Sequence, residues 1–118
     1  MLQRELLPNR RKTETVTLSI VVGSHGQTMK VHATIGFYDD MRPGEVFIAA
    51  GKVGAQFNAL LGDAAVLASL CLQAGYAPDD IVKTLNRVPI GADIHGPTRP
   101  ETAIGAVLER IAHLGSDL

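Results

Sequence analysis

Only one cysteine, Cys71, occurs in 118 residues, and tryptophan is absent. A single cysteine excludes an intrachain disulfide and a cysteine-rich zinc site. It is consistent with a reducing compartment. Three phenylalanines and two tyrosines are too few for a base-stacking platform, so nucleic acid is a disfavoured partner. Eleven lysines and arginines oppose twelve acidic residues, a net charge of −1. That balance excludes a polyanion binder held by bulk charge. Residues 1–8 lack the apolar run of a signal peptide. The longest weakly polar stretch, Ala64 to Leu72, is too short to cross a bilayer. No internal repeat is visible. These absences lead to the expectation of a soluble, cytoplasmic protein without membrane contact.

What is present suffices for a core. The chain is 46% hydrophobic and 19% charged, which excludes a disordered polypeptide. Its length suits one domain that buries about two thirds of its unfolded surface. Residues 1–13 hold Arg4, Arg10, Arg11 and Lys12 against Glu5 and lack periodicity. They are expected to form a basic extended arm, either solvated or gripping an acidic partner or phosphates through Arg10, Arg11 and Lys12. Residues 14–118 are expected to form a single α+β domain.

Glu14 to Val22 alternates Val16, Leu18 and Ile20 with Thr15, Thr17 and Ser19, the pattern of a half-buried strand. Gly23 to Gln27 reads as a turn. Met29, Val31, Ala33 and Ile35 mark a second strand, antiparallel to the first. Asp39 to Gly44 reads as another turn, and Glu45 to Ala50 as a third strand. A three-stranded meander needs a cover for its apolar face. From Ala55 to Ala74 the pattern turns helical, with Phe57, Leu61, Ala64, Ala68, Cys71 and Leu72 on one face and Asp63 as the only charge. A helix so apolar is expected to be central and covered on more than one side, with Cys71 buried as inert packing. Gly75 stops it, and Pro78-Asp79-Asp80 opens a second helix. Residues 87–97 read as a loop. Thr98 as N-cap with Glu101 at N3 predicts a third helix, stopped by Gly115.

Candidate chemistry is sparse. Gly51-Lys52-Val53-Gly54 joins the third strand to the long helix. Open backbone amides and glycines at a helix start can receive an anion or nucleotide, with Lys52 as the cation. The same residues can equally be a tight turn with a solvated lysine. The segment is not a Walker loop, because six residues separate Gly44 from Gly51 and Val53 follows the lysine. His25, His32, His95 and His113 show no pair at metal-ligand spacing, so no metal is expected. Asp39-Asp40 and Asp79-Asp80 suit turn and cap roles better than magnesium. No nucleophile motif is present and no catalytic residue is assigned.

Taken in order, Glu45-Val46-Phe47-Ile48, Gly51-Lys52-Val53-Gly54, Ala64 to Leu70, Gly75 and Ile81 to Leu85 resemble the TSCPD domain over about residues 35–87. That domain ends adenosylcobalamin-dependent (class II) ribonucleotide reductases and also occurs as small free-standing proteins. Leu7-Pro8-Asn9-Arg10-Arg11 before a strand looks like the start of the latter. The family's Thr-Ser-Cys-Pro-Asp segment has no counterpart here, nor have the reductase's barrel and radical-forming cysteine. The resemblance implies a non-catalytic accessory module of deoxyribonucleotide synthesis, docking to a reductase chain or contacting a nucleotide through Gly51, Lys52 and Gly54. It binds no cofactor directly, adenosylcobalamin belonging to the full-length reductase. Alternatives are a reductase subunit with ribonucleoside-diphosphate reductase activity, a small-ligand enzyme using Lys52, and a structural homodimer. A small sheet and an apolar helix leave surface to cover, so a twofold dimer is expected.

Overall fold

The computed structural model describes residues 3–114. Strands β1 (Thr13–Val22), β2 (Gln27–Phe37) and β3 (Pro43–Ala50) form an antiparallel sheet in the order β1-β2-β3. Helix α1 (Ala55–Gln73) and the short α2 (Pro78–Val82) follow. A two-stranded ribbon of β4 (Arg87–Pro89) and β5 (Thr98–Pro100) leads into α3 (Ala103–Leu114). The fold is α+β, a meander packed with three helices, one of them long.

Alternation sets the register. Leu18 faces Val31 and Ile20 faces Met29 across β1 and β2, while Ala33 faces Ile48 and Ile35 faces Val46 across β2 and β3. These residues share the inner face, where Val31, Ala33 and Ile35 are fully buried. Slipping one residue would turn the whole set to solvent. The outer face is hydroxyl-rich: Thr15 Oγ1 meets Thr34 Oγ1 at 3.0 Å, and Thr17 Oγ1 meets His32 Nδ1 at 2.9 Å. Gly23 and Gly26, both with positive φ, turn β1 into β2.

Helix α1 lies along the free edge of β3. Asn58 accepts from the Ala50 amide (3.1 Å) and donates to its carbonyl (2.9 Å). Ser69 Oγ accepts from the Val46 amide at 2.9 Å and lies 3.2 Å from the Val46 carbonyl. Gln73 donates to the Gly44 carbonyl at 3.0 Å. The helix runs antiparallel to the strand. About 22 Å of helix from Asn58 to Gln73 spans about 20 Å of strand from Ala50 to Gly44, so the two match in length. An edge that could pair with another chain is thereby closed by side chains.

Helix α3 closes the inner face of the sheet. Val107 and Leu108 are fully buried and join Leu18, Ile20, Val31, Leu61, Ala65 and Val82 in one core. Both halves of the sequence therefore share a single hydrophobic interior. Among the described residues no buried side-chain polar atom lacks a hydrogen-bond partner.

Three expectations require correction. Thr98 is no helix cap: its Oγ1 accepts from Arg87 Nε (2.8 Å), its carbonyl from Arg87 Nη2 (3.1 Å), and it lies in β5. Thr102 caps α3 instead, accepting from the Gly105 amide at 3.2 Å. The segment 87–97 is accordingly no plain loop, because β4 pairs with β5. The long helix is not covered on several sides: Leu60 and Leu67 are 60% and 64% exposed, and Cys71 is only half-buried. At 19 residues α1 is also long and apolar enough by length and composition to cross a membrane, which the stretch Ala64–Leu72 alone did not suggest. Here it serves as a sheet-packing helix, with Leu61, Ala65, Ala68, Ser69 and Leu72 buried in protein. The proposed stop at Gly115 lies outside the described residues.

Candidate functional site

The first candidate is the junction of β3 and α1. The Asn58 clamp on Ala50 anchors it. Beyond the clamp Gly51, Lys52 and Gly54 are exposed, while Val53 between them packs against the core. Gly54 takes the N-cap position with an extended backbone and no side-chain cap. Lys52, not a glycine, adopts the left-handed conformation, with φ 48°. A β-carbon added at Gly51 or Gly54 would meet nothing within 4 Å. Neither glycine is thus required by its own backbone angle or by its neighbours. The first turn of α1 has no acidic residue to occupy its amides.

The arm supplies the second candidate, and the structure divides its cations. Arg11 Nη1 pairs with Glu45 Oε1 at 3.0 Å, half-buried, across Gly36. A β-carbon on Gly36 would lie 2.3 Å from that carboxylate oxygen, so glycine is what admits the pair. Arg10 and Lys12 remain exposed. The Lys12 carbonyl accepts from the Phe37 amide (2.9 Å), and the Glu5 amide donates to the Gln73 carbonyl (2.8 Å). The arm is therefore strapped to the body. It meets the Gly44 end of β3, whereas Lys52 follows the Ala50 end. Five residues of strand from Glu45 to Ala50 put these groups about 17 Å apart. The two candidate sets do not converge.

Between arm and body lies a cluster that sequence reading missed. Arg42 Nη2 donates to both carboxylate oxygens of Glu5 (3.1 Å each), and its Nε donates to Asp40 Oδ2 at 2.7 Å. The guanidinium stacks 4.6 Å from the Tyr38 ring centroid. The Tyr38 hydroxyl donates to the Glu5 carbonyl at 2.6 Å. Burial first, then the Glu5 charge, raises the Tyr38 phenol above its ordinary value. Hydrogen bonds from the Arg42 side chain and backbone hold Asp40 below the usual carboxylate range. Gly44 permits this latch, because a β-carbon there would lie 2.6 Å from the Tyr38 ring and 2.7 Å from Leu7. Each charge already has its partner, so the cluster fastens the arm and holds no free base or nucleophile. The hollows beside it, lined by Glu5, Leu6, Tyr38 and Arg42 or by Arg42, Leu72 and Tyr76, are shallow. The only early hint was Tyr38-Asp39-Asp40-Met41-Arg42 in a turn, and its partner Glu5 is 37 residues away from Arg42.

The four histidines are spread over the fold. His25 and His95 are exposed in loops, His32 sits on the outer face of the sheet, and His113 lies in the last turn of α3. Among the described residues no three His, Cys, Asp or Glu side chains gather as a metal site would need. Asp80 accepts from the Ala77 amide at 3.3 Å, capping α2.

Comparison with known proteins narrows the reading. The family model of the TSCPD domain matches residues 4–112, arm included. The vitamin B12-dependent ribonucleotide reductase of Bradyrhizobium diazoefficiens is 42% identical over 82 residues, covering 70% of this chain and 6% of the reductase. The vitamin B12-dependent ribonucleotide reductase of Agrobacterium fabrum is 40% identical over 81 residues, 69% of this chain and 6% of that protein. This chain thus matches only a small share of the length of these curated relatives. No solved structure matches.

Proposed function

This chain belongs to the TSCPD domain family and is related to the C-terminal TSCPD region of vitamin B12-dependent ribonucleotide reductases, and from that membership we propose that it is a non-catalytic docking module for such a reductase. The observation that carries the proposal is the 42% identity confined to 6% of the reductase. A module that small, shared with a large enzyme, suits a tail that binds rather than one that reacts. Two features of the chain agree. Its single cysteine cannot relay electrons as a dithiol pair. Its clustered charges are satisfied within the fold rather than poised around a cleft. Of the three cations Arg10, Arg11 and Lys12, Arg10 and Lys12 stay available for the contact, beside the exposed Arg4, while Arg11 is held by Glu45.

The test is binding of the purified chain to a vitamin B12-dependent reductase stripped of its own TSCPD region, measured by biolayer interferometry. Micromolar affinity, weakened severalfold by Arg10→Glu with Lys12→Glu, is expected. Absence of binding at 100-fold higher concentration would refute docking. A second reading rests on Gly51 and Gly54, whose open surroundings give the fold no reason to demand glycine. On that reading a nucleotide phosphate approaches the backbone beside Lys52. Calorimetry with nucleoside di- and triphosphates should then give a signal that Lys52→Ala weakens. No heat at millimolar nucleotide would leave the glycines without a ligand.

A further inference from the structure

We propose that the open face of α1 is a self-complementary interface, on which a second copy of this chain packs its own α1 antiparallel about a twofold axis between Ala64 and Leu67. Phe57, Leu60, Ala64, Leu67 and Cys71, with the cap residue Ala74, follow one another at spacings of three and four. That is the period of a helix–helix seam. All six are exposed or half-exposed, and they stand away from the edge contacts made by Asn58, Ser69 and Gln73.

The order of sizes along the seam identifies the occupant. In an antiparallel pair centred between Ala64 and Leu67, Phe57 meets the partner's Ala74. Leu60 meets the partner's Cys71, and Ala64 meets the partner's Leu67. Each large side chain then faces a small one in every layer. Such alternation lets two helices interdigitate at about 8–10 Å. A parallel pair would instead oppose Phe57 to Phe57 and leave Ala64 and Ala74 facing themselves. A twofold contact requires a patch that complements itself, and this seam does so in one orientation only.

Area and charge agree. The open parts of Phe57 (40%), Leu60 and Leu67 amount to about 330 Å² if each residue spans about 200 Å². One side of a standard interface is about 800 Å², of which about 450 Å² is apolar. The large seam residues therefore supply about three quarters of the apolar share. Asp63 is the only charge on the helix and sits beside the seam with Gln56, at the polar rim. The interface does not depend on docking to a reductase, since the arm's cations lie elsewhere.

Light scattering and sedimentation velocity at 5–100 µM test the proposal. The expected mass is twice 12.5 kDa. Leu60→Glu with Leu67→Glu should weaken self-association at least 100-fold while circular dichroism and melting stay those of a folded chain. Ala64→Leu adds apolar surface yet fills the space of the partner's Leu67. It should therefore weaken the dimer, where unspecific adhesion would strengthen it. Mild oxidation should cross-link Leu60→Cys to the partner's Cys71 and leave the unaltered chain uncross-linked. A monomer at 100 µM would overturn the proposal, whether it stays alone, floats with phosphatidylcholine–phosphatidylglycerol vesicles or engages only a reductase chain. A dimer indifferent to the Glu pair would overturn it as well. Oxidative Cys71–Cys71 linkage of the unaltered chain would overturn the antiparallel register.

Discussion

Helices α1 and α3 are both rich in apolar residues, yet the fold uses them in opposite ways. α3 lays Val107, Leu108 and Ile111 on the inner face of the sheet and is buried along that stripe. α1 attaches to the sheet by its edge, where Asn58, Ser69 and Gln73 hold the backbone of β3. Its apolar residues consequently divide. Leu61, Ala65, Ala68 and Leu72 enter the core, while Leu60, Val66 and Leu67 face out. Apolar content alone does not measure burial. What a helix leaves over after satisfying its own domain is the part open to a partner.

Truncation should separate the two helices most sharply. Leu108→Ala removes a fully buried side chain and should cost about 2–5 kcal/mol in urea unfolding. Leu67→Ala, on the open face, should leave the stability of the isolated chain within about 0.5 kcal/mol. Equal losses would mean that α1 is as enclosed as α3.

The edge attachment is tested next. Ser69→Ala strips the Val46 amide of its acceptor inside the core and should cost about 1–3 kcal/mol. Hydrogen exchange at the Val46 amide should quicken with it. Unchanged exchange would show that helix and strand stay joined without the hydroxyl.

Gly44→Ala forces a methyl group against the Tyr38 ring and Leu7. It should cost about 1–3 kcal/mol and free the arm. Limited proteolysis near Pro8 would report the release, and an arm as resistant as before would count against the latch.

The smallest effects are those of pH, and their signs differ. Tyr38 is raised in the folded chain. Its stabilising contribution is whole below its ordinary value near 10 and fades as pH climbs through the higher folded value. Tyr38→Phe should abolish the resulting alkaline loosening of the arm. Asp40 is lowered, so its contribution holds above its ordinary value near 4 and disappears as pH falls through the depressed folded value. Asp40→Asn should flatten that acidic limb, read as arm cleavage against pH.

Much of this architecture was legible beforehand because its signals are local. Val16 to Ile20 and Met29 to Ile35 alternate, so their strands and shared face follow from period two. The run from Ala55 to Gln73 lacks proline and carries only Gly62 as a weak point, and Gly75 stops it with φ 106°. Gly51-Lys52-Val53-Gly54 fell where the spacing put it, between strand and helix. The capping signature at Thr98 misled because Arg87, eleven residues earlier, claimed its hydroxyl. Arg11 read as a free cation because its partner Glu45 lies 34 residues on. The Glu5–Tyr38–Arg42 latch was invisible for the same reason. Ser69 carries no local signal of its role, and only its contact with Val46 shows it to be an attachment.

The amino-acid order by itself determined the three strands of the meander with their inner face, the extent of the long helix and the family, because periodicity, breakers and motif order act over a few residues. Tertiary structure alone decided which side of α1 is spare, which arm cations remain outside and what seals the edge of β3. Those outcomes depend on groups dozens of positions apart meeting in space, where one hydrogen bond or one missing β-carbon selects the partner.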